Sequence, residues 1–174
     1  AEILAAYPGH IARMLQLVHG EGEHTGTAER IVALETKLAA AHWDVVKRRD
    51  ADLTYNLRTF TELGSEAPGF DWSGWVGALG AAPEEVVVRQ PDYLTAFAAL
   101  WASEPLEDWK QWLSWRVISA RASLLTDDLV AENFAFYGKT LSGTEAIRDA
   151  GAMKLPAAPD TTTSIGPHAS AVAA

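Results

Sequence analysis

The sequence predicts an all-α fold of about seven helices packed around a tryptophan-rich central helix, with at most one short strand. Three observations predict it. Apolar residues recur at helical spacing along most of the chain. The stretch PLEDWKQWLSWRVISARASLL, residues 105–125, holds three of the seven tryptophans. The only strand signal is Val86-Val87-Val88 after Pro83, and it is short.

The stretch at 105–125 is the predicted hub. At 3.6-residue spacing, Trp109, Trp112, Leu113, Arg116, Val117 and Ala120 share one side, and Trp115, Ile118, Ala122 and Leu125 share a second. Two apolar stripes imply a helix surrounded by others. Pro105 suits the first turn, where its missing N–H costs nothing. Glu107 and Asp108 complement the positive end of the helix dipole, and Arg116 and Arg121 lie toward the negative end. Indole rings at this spacing predict core rather than a binding platform. Trp112 is expected to be among the most sensitive positions.

The remaining elements follow in order. Residues 2–18 carry Ile3, Tyr7, Ile11, Met14, Leu15 and Val18 at helical period, and Pro8-Gly9 predicts a kink or restart. After the loop at 20–24, Thr25 or Thr27 is expected to cap a helix running to about His42, with Ile31, Leu34, Leu38 and Ala41 inward. Residues 42–63 mix charge with apolar side chains; Asp50-Ala51-Asp52 predicts a break, and Thr59 a cap. Residues 64–69 read as a Gly/Pro/Ser loop. Asp71 caps a short helix carrying Trp72, Trp75, Val76 and Leu79, closed by Gly80. Pro91 starts PDYLTAFAALWAS. Beyond the hub, Thr126 caps a helix carrying Leu129, Val130, Phe134, Phe136, Tyr137 and Leu141, which Gly143 ends. The organisation predicted is a helical domain at 1–149 and a flexible tail at 150–174, where Ala, Thr, Pro and Ser dominate without period.

Composition excludes several function classes. A net charge of −9 offers no basic face for nucleic-acid phosphate. No apolar run approaches 18 residues, so no membrane segment is predicted. Cysteine is absent, which excludes disulfides and thiolate chemistry but leaves both cytoplasmic and secreted locations open. The chain opens in mid-helix pattern without an initiator Met, as a piece of a longer protein would.

Catalytic motifs are missing. His19, Glu21, Glu23 and His24 could meet in a loop around a metal, but two glycines and exposure favour a solvated loop. His42-Trp43-Asp44 could orient an imidazole, although a histidine capping a helix end is the simpler reading. Lys47-Arg48-Arg49, followed by Asp50 and Asp52, predicts a solvated, ion-paired face. There is no H-E-x-x-H, G-x-S-x-G, P-loop or G-x-G-x-x-G. No catalytic, cofactor-binding or metal-ligating residue is therefore assigned.

Several long words in the chain nevertheless occur together in one known family. They are YPGHIARMLQLV (7–18), RIVALETKLAAAHWDVVKRRDADLTYN (30–56), FDWSGWV (70–76), VVVRQPDYL (86–94), LEDWKQWLSWRV (106–117) and ENFAFYGKTLSG (132–143). In order and spacing the chain resembles the neprilysin-like zinc metalloendopeptidases, especially their bacterial members, over roughly residues 2–149. The words match the family's N-terminal, mainly helical region. The resemblance implies a non-catalytic, lid-like portion over an enclosed cavity. Zinc in the full-length family is held by an H-E-x-x-H helix and a further glutamate, later in the chain and absent here, so no cofactor is expected in this chain alone. The implied partners are the catalytic half and, in the parent enzyme, peptide substrates. After Asp149 the family pattern gives way to Ala150-Gly151-Ala152 and the polar tail. A frameshift, a truncated gene, a gene-model artefact or an engineered boundary would each produce that break. The alternative from another class is a stand-alone helical interaction module, or a degenerate relic, binding a partner through apolar surface.

Overall fold

The computed structural model describes residues 2–146, so the predicted tail at 150–174 lies outside the described residues. Among them are eight α-helices and one two-stranded sheet. The order is α1 (Glu2–His19), α2 (Thr25–Ala40), α3 (Ala51–Thr54), β1 (Leu57–Thr59), α4 (Phe60–Glu66), α5 (Trp72–Ala78), β2 (Glu85–Val87), α6 (Pro91–Ser103), α7 (Leu106–Arg121) and α8 (Asp127–Asn133). A π-helical stretch, Phe134–Leu141, extends α8. The fold is mainly α, as predicted, and none of the described helices is long and apolar enough to cross a membrane.

Local chemistry explains the element ends, and several differ from the sequence reading. α1 runs through Pro8 as a single helix, with no restart. The carbonyl that Pro8 leaves unpaired belongs to exposed Leu4, where water can serve it, while Ile11, Met14 and Leu15 anchor the following turns in the core. Neither Thr25 nor Thr27 caps α2. His24 takes the N-cap position without a side-chain bond, and Glu23 Oε1 accepts from the Thr25 N–H at 2.6 Å. Asp50 both breaks and restarts the chain, accepting from the N–H groups of Asp52 and Leu53 to open α3. Thr59 and Glu62 form a reciprocal capping box on α4. That cap carries the helix through Gly64 and Ser65, residues read from composition as loop. Asp71 caps α5 as expected, accepting from Gly74 N–H at 2.8 Å. Thr126 occupies the α8 N-cap position but makes no side-chain bond there.

Val86 does form a strand, and it has a partner that single-residue preferences did not reveal. β1 and β2 pair antiparallel, with Arg58 opposite Val86. Asn56 extends the pairing: its carbonyl accepts from Val88 N–H, and its side chain donates to Val88 O.

The core comes in three connected parts. At the first end, α1, α2, α7 and α8 enclose Ile11, Met14, Leu15, Ile31, Trp115, Ile118 and Leu129. At the second end, α4, α5, α6 and the strands gather Leu63, Trp72, Val88 and Ala98, with Phe60, Phe70, Leu94 and Phe97 packed against them. Leu34, Leu38 and Trp109 join the two, touched by Phe97, Leu100 and Trp112. The tryptophan-rich helix therefore does sit at the junction, but it is not surrounded. Trp109, Trp115 and Ile118 face inward, whereas Leu113, Arg116, Val117 and Ala120 face solvent. Trp112 is only half-buried, and Trp115 is the fully buried indole. The stripes of α7 divide by what α1 and α2 can reach, since neighbours pack on one side alone.

Candidate functional site

Among the described residues, a chain of hydrogen-bonded polar side chains enters the core beside Trp115. Helical spacing puts Tyr7, His10 and Met14 of α1 on one face. The Trp115 indole N–H donates to the Tyr7 hydroxyl at 3.1 Å, and that hydroxyl donates to Glu35 Oε2 of α2 at 2.9 Å. Burial, first of all, pushes the Tyr7 hydroxyl far above its ordinary pKa, so it stays protonated and can donate.

His10 is fully buried beside this chain of bonds. Its ring stacks on Phe136 at 4.6 Å between centroids and meets the Trp115 and Tyr137 rings edge-on. Nδ1 lies 2.9 Å from Glu132 Oε1, which also accepts from Arg13 Nε at 2.9 Å. Burial lowers the His10 pKa and outweighs the bond to Glu132, so the ring is neutral. A neutral ring facing a carboxylate donates from Nδ1, which leaves Nε2 as the acceptor. Burial opposes the Glu132 charge, but the hydrogen bonds from Arg13 and His10, with the charge of Arg13, hold its carboxyl below the usual range.

An imidazole oriented by a carboxylate is the geometry of a general base. Here the basic atom cannot serve. Nε2 is buried among aromatic rings and has no hydrogen-bond partner among the described residues. The open cleft alongside, about 750 Å³, is lined by Arg13, Gln16, Glu21, Asp128 and Glu132, and meets only the outer edge of the cluster. The arrangement clasps α1 to α8. Sequence reasoning assigned His10 no role. The signal that could have found it was a histidine in register with Tyr7 and Met14 on an apolar face.

The other weighed groups disperse. Glu21 accepts from Gln16, Glu23 bonds Thr25, and His24 Nε2 lies 3.1 Å from the carbonyl of Gly20. The His19 and His24 rings are 6.3 Å apart. His42 neither caps α2 nor faces a carboxylate; its ring stacks on Tyr93 at 4.0 Å. Asp44 is spent on the N–H groups of Val46 and Lys47. Lys47, Arg48 and Arg49 are exposed but make no ion pair among the described residues, because Asp50 is engaged as a cap; Lys47 instead lies 5.9 Å from the Trp43 ring centroid. No three His, Asp or Glu side chains among the described residues come together to hold a metal.

Comparison with known proteins decides the family. A sequence model of "Peptidase family M13", for its N-terminal part, matches residues 1–155.

The chain belongs to peptidase family M13.

Its match to Neprilysin-2 of Drosophila melanogaster is 24% identical over 137 residues, 74% of this chain and 18% of that protein. The crystal structure of the Mycobacterium tuberculosis zinc metalloprotease Zmp1 with an inhibitor is 66% identical over 85% of this chain, with a TM-score of 0.82. The open state of Zmp1 matches with the same identity and TM-score, and its partial open state with 64% identity and a TM-score of 0.74. The chain thus corresponds to the N-terminal region of M13 zinc metalloproteases and spans about a quarter of the length of Zmp1. The described residues do not fit a zinc ion such as the zinc metalloprotease Zmp1 is named for, since no set of ligands converges among them.

Proposed function

We propose that this chain is a non-catalytic, lid-like wall of an M13 zinc metalloendopeptidase. In this reading its helices help to enclose the cavity in which peptides are cleaved, and zinc, activated water and general base all belong to the catalytic portion. A wall acts by exclusion, since it limits which substrates reach the reactive centre and how much bulk water accompanies them. The single observation that carries the reading is 66% identity with a TM-score of 0.82 to Zmp1, over a stretch that is 23% of the Zmp1 chain. The clasp of His10 by Glu132, itself held by Arg13, supports it, because Nε2 of His10 is closed to substrate.

Two assays test the proposal. After chelator washing, the chain alone should retain no stoichiometric zinc and cleave no fluorogenic peptide. Mixed with the part of Zmp1 that follows the aligned stretch, it should support cleavage. One tightly held zinc per chain, or peptide hydrolysis by the chain alone, would overturn the reading.

A further inference from the structure

α7 has a second face that the core leaves unused. Leu106, Leu113, Val117 and Leu124, the last on the 3-10 turn that follows the helix, recur every seven and four residues and are 63%, 58%, 58% and 74% exposed. They form one stripe, about 27 Å long at the helical rise. Lys110 and Arg121 lie along one border of the stripe and Arg116 along the other. Lys110 and Arg121 make no ion pair among the described residues, and the nearest carboxylate oxygen to Arg116 is Glu35 Oε1 at 4.0 Å. Apolar anchors at this spacing are the pattern with which one helix receives another. Cations along both borders, in a chain of net charge −9, select for acidic residues opposite.

We propose that this face of α7 docks an amphipathic helix with acidic borders, supplied by the remaining portion of an M13 peptidase. The inference rests on the reading in the preceding section, and adds the surface and the chemistry of its partner. Two observations choose this occupant. More than three quarters of the Zmp1 chain lies outside the aligned stretch, so the relative has a large further portion from which a partner segment can come. A second copy of this chain fits poorly. Two α7 stripes paired antiparallel about their midpoint would bring Lys110 close to Arg121 of the copy, and a parallel pair would set Arg116 beside Arg121 of the copy. Both arrangements place like charges at the border of an apolar seam.

The test is sedimentation and calorimetric titration of the full 174-residue chain with the part of Zmp1 that follows the aligned stretch, prepared so that it holds its zinc. The wild-type chain should bind. The double variant Leu113→Asp/Val117→Asp should bind roughly 100-fold more weakly, as expected when central anchors are lost. Lys110→Glu/Arg121→Glu should weaken binding roughly 10-fold and flatten its salt dependence. Because all four positions are exposed, the variants' own melting should match wild type; if the aspartate variant melts early, the charge variant decides. Variants that bind like wild type would overturn the docking face and leave the functional reading standing. A wild-type chain that does not bind would overturn both. Self-association of the chain, abolished by the aspartate variant, would make a second copy the occupant and overturn the proposal.

Discussion

The two ends of the molecule use aromatic residues differently. At the α1–α2–α7–α8 end, Trp115 is wholly buried and its N–H is paired, and every one of the largest fully buried side chains belongs to this end: Trp115, Ile11, Met14, Leu15, Ile31 and His10. At the α4–α5–α6 end the rings form a raft, in which Phe97 meets Phe70, Trp72, Trp101 and Trp109 at centroid separations of 5.2 to 6.2 Å. One side of the raft is open, with Trp101 and Trp75 both exposed. The difference shows that a tryptophan count does not measure a core. Enclosure does, and it depends on having helices on both sides of the ring.

The largest expected effect comes from exchanging rings between these settings. Trp115→Ala should cost about 3–5 kcal/mol, because close-packed neighbours cannot fill the void and the Tyr7 hydroxyl loses its donor. Trp72→Ala should cost less, since half-buried Phe70 and Phe97 can move into its space. Equal shifts in denaturation midpoint would break the distinction.

Glycines sharpen it. At the closed end, a Cβ on Gly138 would overlap the Phe134 ring in the π-helical stretch, so Gly138→Ala should destabilise by about 1–3 kcal/mol. At the open end Gly77 lies in α5 with nothing within 4 Å of such a Cβ, and Gly77→Ala should stabilise by about 0.5–1 kcal/mol. Thermal melts of both variants check the opposite signs.

The closed end should also respond to acid. His10 has a lowered pKa when folded, so the unfolded chain binds the extra proton first. Its contribution is complete above the unfolded value, about 6.5, and is lost as pH falls from there toward the folded value. Glu132, also lowered, adds its own loss further down, below the ordinary carboxylate range. Below about pH 6.5 the slope from His10 is at most about 1.4 kcal/mol per pH unit, the limit for one proton. Denaturation midpoints across this range should show the slope in wild type and lose it in His10→Phe. A slope unchanged in that variant would place the titrating group elsewhere. A modest effect is expected at the open end, where Thr59→Ala removes the α4 capping box and should cost about 1 kcal/mol.

How much of this was legible in the sequence follows the same division. Periodicity found the helices, and cap chemistry at Thr59 and Asp71 placed two helix starts, because those signals are local. What lay beyond sequence was long-range. β1 needed Val86 opposite Arg58 before it could be a strand. The side of α7 bearing Leu113 and Val117 reads like the side bearing Trp115 and Ile118, and only the positions of α1 and α2 separate them. Trp112, expected among the most sensitive positions, proved half-buried for that reason. The site had the same character. The absence of metal and nucleophile motifs could be read directly, but the meeting of His10 with Glu132 spans 122 residues. The family could be read from whole words of sequence, which carry more information than any single pattern.

The molecule has one closed end and one open end, and native-state amide hydrogen exchange on the isolated chain measures the difference. Amides of α1, α2 and the Trp115 half of α7 should exchange only through global unfolding, with one shared free energy. Amides of α4, α5 and the β1–β2 pair should exchange through local opening at distinctly lower free energy. Equal protection at both ends would contradict the account, and so would greater protection at the α4–α5 end.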